Sequence, residues 1–258
     1  SKTITIKGTL TLADHTTGQE ADKFPSSGSA TGAELFSLRL TPSGENASVT
    51  GLVISLSSIT GVVTGDVTNA KLWQDTGTTS GAVDGSDTQV GGAGAVSISA
   101  GTGTITFSTA FTVSVATNYI LQADVANLVA GDTMTVSLSA GSITSTGATS
   151  GVALTAAGSA TNVIHQSLAM TYTQDTFRFY ANADALQPSD PWPAGATNLA
   201  ENAAITSSDS PPAVGDPIRM RMSIQAGGEA MSASSQALKL QWGEGTDPAA
   251  ITTWNDLA

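Results

Sequence analysis

Apolar and polar side chains alternate along most of the first two thirds of the chain, the periodicity of strands with one buried and one solvated face. The cleanest run is the first. Over residues 3–12, Ile4, Ile6, Gly8, Leu10 and Leu12 share one face, and Thr3, Thr5, Lys7, Thr9 and Thr11 the other. Phe36, Leu38 and Leu40 then alternate with Ser37, Arg39 and Thr41, and Leu52, Ile54 and Leu56 repeat the pattern. Val96 and Ile98, Ile105 and Phe107, and Phe111, Val113 and Val115 follow at hairpin spacing; Tyr119 to Val125 and Met134 to Leu138 read as further strands. Turn-forming stretches such as Thr41-Pro42-Ser43-Gly44 and Ala100-Gly101-Thr102-Gly103 separate these runs. Short strands roughly every 8 to 12 residues with turns between them predict a β-sandwich. No segment sustains the 3.6-residue period, and single helical turns are expected only near Asp66 to Ala70 and Ala126 to Ala130.

The pattern changes near residue 166. Two prolines and one tryptophan precede it, whereas seven prolines and three tryptophans follow. This predicts two domains, 1–166 and 167–258. In the second, strands are expected at 176–181, 217–225 and 236–242, with Gln187 to Pro193 as a surface loop. An immunoglobulin-type sandwich uses about seven strands. The expectation is therefore an all-β chain of two Ig-like antiparallel sandwiches in tandem, the second smaller and short of a strand that a neighbour or a longer chain would supply.

Composition narrows the function. Charged residues are 12% of the 258, about half the roughly 25% usual in soluble proteins. Ser and Thr together number 68, and the net charge is -12. A nucleic-acid partner would call for a basic footprint, which a pI of 4.2 excludes. Without cysteine there is no disulfide framework, thiol nucleophile or thiolate metal site. No run of 18 apolar residues encodes a transmembrane helix. A hydrophobic content of 40% argues against disorder, and many Thr and Val with few Glu, Lys and Leu favour strands. Small uncharged polar residues in this proportion are the profile of a secreted or cell-surface protein.

The stretch Thr117-Asn-Tyr-Ile-Leu-Gln-Ala-Asp-Val-Ala-Asn-Leu-Val-Ala-Gly-Asp-Thr133 resembles Ig-like β-sandwich modules of large bacterial surface and extracellular proteins. So do Gly32 to Phe36 and Thr104 to Phe107. Phe177-Arg178-Phe179-Tyr180, with Arg219 to Met222 and Ser234 to Trp242, resembles a module that accompanies them. The resemblance implies adhesive or filament-forming structural roles and carries over no active-site residue.

Candidate chemistry is sparse. His15 and His165 are read as solvated loop histidines. No Gly-x-Ser-x-Gly elbow and no acid pair across a cleft is legible, so the chain is not expected to be an enzyme and no cofactor is implied. Asp75, Asp84 and Asp87 in a Gly-rich loop are weak candidates for calcium, which takes loop oxygens, though their spacing is not that of an EF-hand. Asp184, Asp190 and Glu201 are weaker ones. Asn46-Ala47-Ser48 is the one N-glycan acceptor motif, the Ser/Thr tracts offer positions for O-glycans, and Lys71 is a candidate for a Lys–Asn isopeptide crosslink. The candidate interface is strand 3–12, with Ile4, Ile6, Gly8, Leu10 and Leu12 as the inserted face. Either it is the first strand of its own domain, or it is donated to the next copy by strand addition, building a head-to-tail homopolymer. The expected function is thus a subunit of an extracellular filament or pilus. The alternative is a non-polymeric adhesion or stalk module, rigidified by calcium.

Overall fold

The computed structural model describes residues 8–181, 191–192, 198–213, 217–228, 241–243 and 250–256. The chain is all-β and divides into two compact units, Ser1–Met170 and Thr171–Ala258. Strands of the first unit are β1 (Thr9–Ala13), β2 (Gly28–Ser43), β3 (Ala47–Thr60), β4 (Val67–Gln74), β5 (Thr88–Ala93), β6 (Ala95–Ser99) and β7 (Thr102–Phe107). They continue as β8 (Phe111–Val113), β9 (Thr117–Leu128), β10 (Thr133–Ser137), β11 (Ile143–Gly147), β12 (Ala153–Leu154), β13 (Ala156–Gly158) and β14 (Val163–Gln166).

These strands form two sheets. One has the order β13-β1-β2-β9-β4-β5. The other is assembled on β3, whose length lets it take two partners along each edge. Its first half pairs with β11 and its second with β10, while β8 and β7 divide the opposite edge; β12, β14 and β6 extend the sheet outward. The alternation explains how the sheets meet. Leu10, Leu12, Leu38, Leu40, Leu72 and Leu121 from the first sheet join Val49, Leu52, Ile54, Phe107 and Val136 from the second in one continuous core. Each such side chain, fully withdrawn from water, contributes roughly 1.5–3 kcal/mol. The double-sheet arrangement is that of a β-sandwich.

Where alternation breaks, a specific contact accounts for it. Leu35 and Phe36 are adjacent yet both fully buried, because the pairing of β2 with β9 shifts register between Glu34 and Phe36. Ser37, expected on the wet face, is 1% exposed. β1 ends opposite Arg39, so the next main-chain groups of β2 need another partner. The Gln19 carboxamide supplies it: Oε1 accepts from the Ser37 N–H at 3.1 Å and Nε2 donates to the Ser37 carbonyl at 2.6 Å.

Two helical expectations are corrected. A 3-10 turn covers Thr64–Asp66, but the chain from Val67 onward is strand β4, and β9 runs through Leu128. Pairing of Val67 with Val125 and burial of both outweigh the local preference of these short segments.

In the second unit, β15 (Thr171–Ala181) pairs antiparallel with β16 (Ile218–Gly227), and β17 (Gln241–Trp242) with β18 (Asn255–Asp256). Phe177 faces Met222 and Phe179 faces Met220 across the β15–β16 ladder, while Arg178 and Arg221 face each other with the intervening side chains. Asn202 pairs with Phe177 through its N–H and its side-chain oxygen, holding the chain near residue 200 beside β15. The expected strand residues 236–240 and the loop at 187–190 lie outside the described residues.

Core substitutions separate packing from polarity. Leu38→Ala is expected to lower unfolding free energy by about 2–5 kcal/mol, read from denaturant midpoints. The buried Tyr119 hydroxyl makes no well-formed hydrogen bond, only a loose approach to the Thr117 side chain, so Tyr119→Phe is expected to be neutral or stabilising by about 1 kcal/mol. A loss above that would show the hydroxyl to be bonded.

Candidate functional site

Of the five residues on the inserted face of segment 3–12, Ile4 and Ile6 lie outside the described residues. The other three sit in the chain's own first unit. β1 lies between β2, to which it is antiparallel, and β13, to which it is parallel with Leu10 opposite Ala156 and Leu12 opposite Gly158. Leu10 and Leu12 are fully buried. Gly8 is fixed by close approach: a Cβ there would lie 2.9 Å from Glu45 Cγ and 3.1 Å from the Ser43 carbonyl oxygen. Glu45 reaches this point from the β2–β3 turn and accepts N–H bonds from Thr149 and Ser150. The Ser150 hydroxyl, its strongest partner, helps hold its carboxyl below the usual pKa.

Asp75, Asp84 and Asp87 fall in the β4–β5 connection, and the structure gives them acceptor roles. Asp84 takes the Thr78, Thr79 and Ser86 N–H groups and the Ser86 hydroxyl, which holds its carboxyl well below the ordinary range. Asp87 takes the N–H groups of Thr76, Gly77 and Asp84. Asp75 turns away from both, toward Gly81 N–H and His15. Among the described residues no three His, Asp or Glu side chains converge as a metal site would require.

The histidines are not solvated as the sequence suggested; both are buried. Nδ1 of His15 accepts from the Thr17 N–H at 3.1 Å, which puts the proton on Nε2, and Nε2 donates to Asp75 Oδ2 at 2.7 Å. The Thr17 hydroxyl also reaches Nδ1, at 2.8 Å. Hydroxyl, imidazole and carboxylate thus stand in the order that nucleophilic catalysis uses. Here, however, the Nδ1 lone pair already serves a main-chain N–H two residues away, so the array pins the β1–β2 connection to the β4–β5 loop. His165 is buried between sheets, its Nδ1 accepting from Lys23 N–H and its Nε2 donating to the Leu35 carbonyl, with the ring stacked on Phe24 at 5.4 Å. Its alternation with Val163 in β14 was the available signal for burial.

Lys71 carries its ammonium over the Trp73 ring, 5.7 Å from the centroid, while the Asn69 amide is held by Asp124. Asn46 is exposed immediately before β3. Glu201 lines a cleft of about 200 Å³ with Arg178 and Arg221 in the second unit; Asp184 and Asp190 lie outside the described residues. No model of a known protein family matches the chain, and no curated protein matches it.

Ten of the eleven acidic residues between Gly8 and Met170 accept a main-chain N–H. Because the loop amides already occupy the oxygens of Asp84 and Asp87, calcium addition or chelation is expected to leave the melting temperature unchanged in a thermal shift assay. Asp75→Ala removes the acceptor of both His15 and Gly81 and is expected to cost about 2–3 kcal/mol in denaturant unfolding. Stability is also expected to fall with acid in two stages. Burial of His165 pushes its pKa down despite the nearby Leu35 carbonyl and Asp22. The unfolded chain therefore takes up a proton below about pH 6.5 that the folded chain refuses, and stability declines from there downward. Depressed carboxyls such as Asp84 and Asp124 add a second decline below about pH 4, as they are protonated. In His165→Gln the first decline should vanish from a plot of unfolding free energy against pH, leaving the second.

Proposed function

We propose that the chain is a non-catalytic structural module of an extracellular surface protein, acting as a stalk or spacer in an adhesive assembly. The observation that carries this reading is the parallel pairing of β1 with β13. A pull on the chain before β1 and after β14 must first part β14 from β10, and then slides the parallel strands β1 and β13 along each other. Their ladder hydrogen bonds then resist together, where a hairpin pulled at its ends would open bond by bond. Leu10 and Leu12, buried beneath the ladder, must leave the core in the same step. A surface of Ser and Thr with few charges and no cysteine is suited to an exterior setting where neither reductant nor ionic strength is controlled.

A second reading has its own support. Among the described residues β1 pairs with β2 and β13 alone, so an identical strand from another copy could make the same contacts, as in domain swapping. That reading is a filament of head-to-tail copies with Gly8, Leu10 and Leu12, and Ile4 and Ile6 before them, inserted in trans.

The two readings part on deletion of residues 1–13. For the stalk module, the intact chain is expected to be monomeric by light scattering, and the truncated chain to lose its cooperative thermal transition in the first unit. Filaments of the intact chain in negative stain, together with a truncated chain that remains folded and monomeric, would replace the stalk reading with the filament.

A further inference from the structure

The outer face of the first sheet carries a cleft that no reading above uses. β9 is flanked by β2 and β4, and both neighbours slip register at the same level of it. The pairing of β2 with β9 shifts between Ala30 and Ala33, and that of β4 with β9 between Thr68 and Lys71. The extra residues include Gly32 at φ 66° and Asn69 at φ 51°. Left-handed backbone is uncommon outside glycine, and a positive φ at Asn beside a bulge is a local device that re-aims side chains. Two opposed bulges thus flank one stretch of β9, and over it lies a cleft of about 330 Å³ lined by Thr31, Gly32, Asn69, Lys71, Gln122 and Asp124.

Its polar groups are held from behind. Asp124 accepts the Gly32 N–H at 2.7 Å on one oxygen and the Asn69 amide at 2.6 Å on the other, which ties the bulges to each other and keeps the carboxyl ionised. Gln122 Oε1 accepts from the Trp73 indole at 3.1 Å, so its orientation is fixed and its NH₂ group is the end presented near Gly32, where a Cβ would come within 3.4 Å. Asn69 gives one N–H of its NH₂ to Asp124 and keeps its carbonyl oxygen as an acceptor. The cleft thus sets donors (Gln122 NH₂, Lys71 ammonium, Thr31 hydroxyl) among acceptors (Asn69 Oδ1, the remaining lone pairs of Asp124). One positive and one negative charge balance, so no net field selects an ion. The lining is too polar for an apolar ligand, and the volume is at the lower end of the roughly 300–1,000 Å³ of small-ligand pockets.

We infer that this cleft is a binding site for a neutral sugar residue of a glycan. Vicinal hydroxyls donate and accept at once. A carboxylate with a planar amide on each side answers that pattern, whereas an anion would meet Asp124 and a cation Lys71. The site is independent of how the module is joined to its neighbours.

The test is a titration of the isotopically labelled full chain with glucose, galactose, mannose and N-acetylglucosamine, followed in amide-correlation NMR spectra. Acetate and sulfate serve as the anion arm. At least one sugar is expected to shift the Gly32 amide, the side-chain NH₂ signals of Gln122 and Asn69, and the Trp73 indole, with a millimolar dissociation constant and no matching response to the anions. Asn69→Gly keeps the left-handed backbone while removing the amide, and Gln122→Ala removes the donor. Each is expected to weaken binding tenfold or more in a chain whose remaining spectrum is unchanged. No shift with any sugar, equal shifts with acetate or sulfate, or undiminished binding in both folded variants would each overturn the assignment.

Discussion

The structure of the first unit rests on carboxylates that accept main-chain N–H bonds in its loops. A double-sheet core satisfies the backbone within the strands, but every connection leaves N–H groups that need acceptors. A chain with so few charged residues devotes most of its acids to that need, and leaves turns such as those at Gly94 and Ser139 to backbone carbonyls and a Ser hydroxyl. Several of these bonds close long distances in sequence. Asp14 holds Thr161, Asp22 holds Gln166, Glu34 holds Val83 and Glu45 holds Thr149. These connections are therefore fastened to one another around the core.

This use of acids explains why the loop aspartates resemble ligand sets in sequence and are something else in space. Asp84 and Asp87 are close because one of them caps the turn made by the other. Their oxygens are already engaged, and hydrogen bonding to the charged form is also what depresses the Asp84 carboxyl. The same chemistry at Asp124 has a different consequence. There the groups it holds belong to two strands, and binding them together leaves donors and acceptors lining a cleft on the sheet surface.

The fold was legible in the sequence to the extent that a period of two was. Leu10 and Leu12, Leu38 and Leu40, and Ile105 and Phe107 alternate and are buried as their spacing predicts. What alternation could not announce was a slip in register. Nothing in Ala30 to Phe36 or Thr68 to Lys71 announces a bulge except a glycine and an asparagine, residues common in this chain for ordinary turns. The histidines failed for a related reason. His15 stands in a polar stretch, and its burial comes from Asp75, sixty residues away in sequence, closing over it.

By itself the sequence determined the all-β class, the sandwich of half-buried strands, the low charge of the exterior and the absence of cysteine chemistry, because these depend only on residue type and local period. Tertiary structure alone decided that β1 lies between β2 and β13, that β13 runs parallel to it, which carboxylate serves which loop, and where opposed bulges flank a cleft. Each of those depends on residues brought together from distant parts of the chain. Hydrogen bonds across such distances leave no periodic trace in the order of the amino acids.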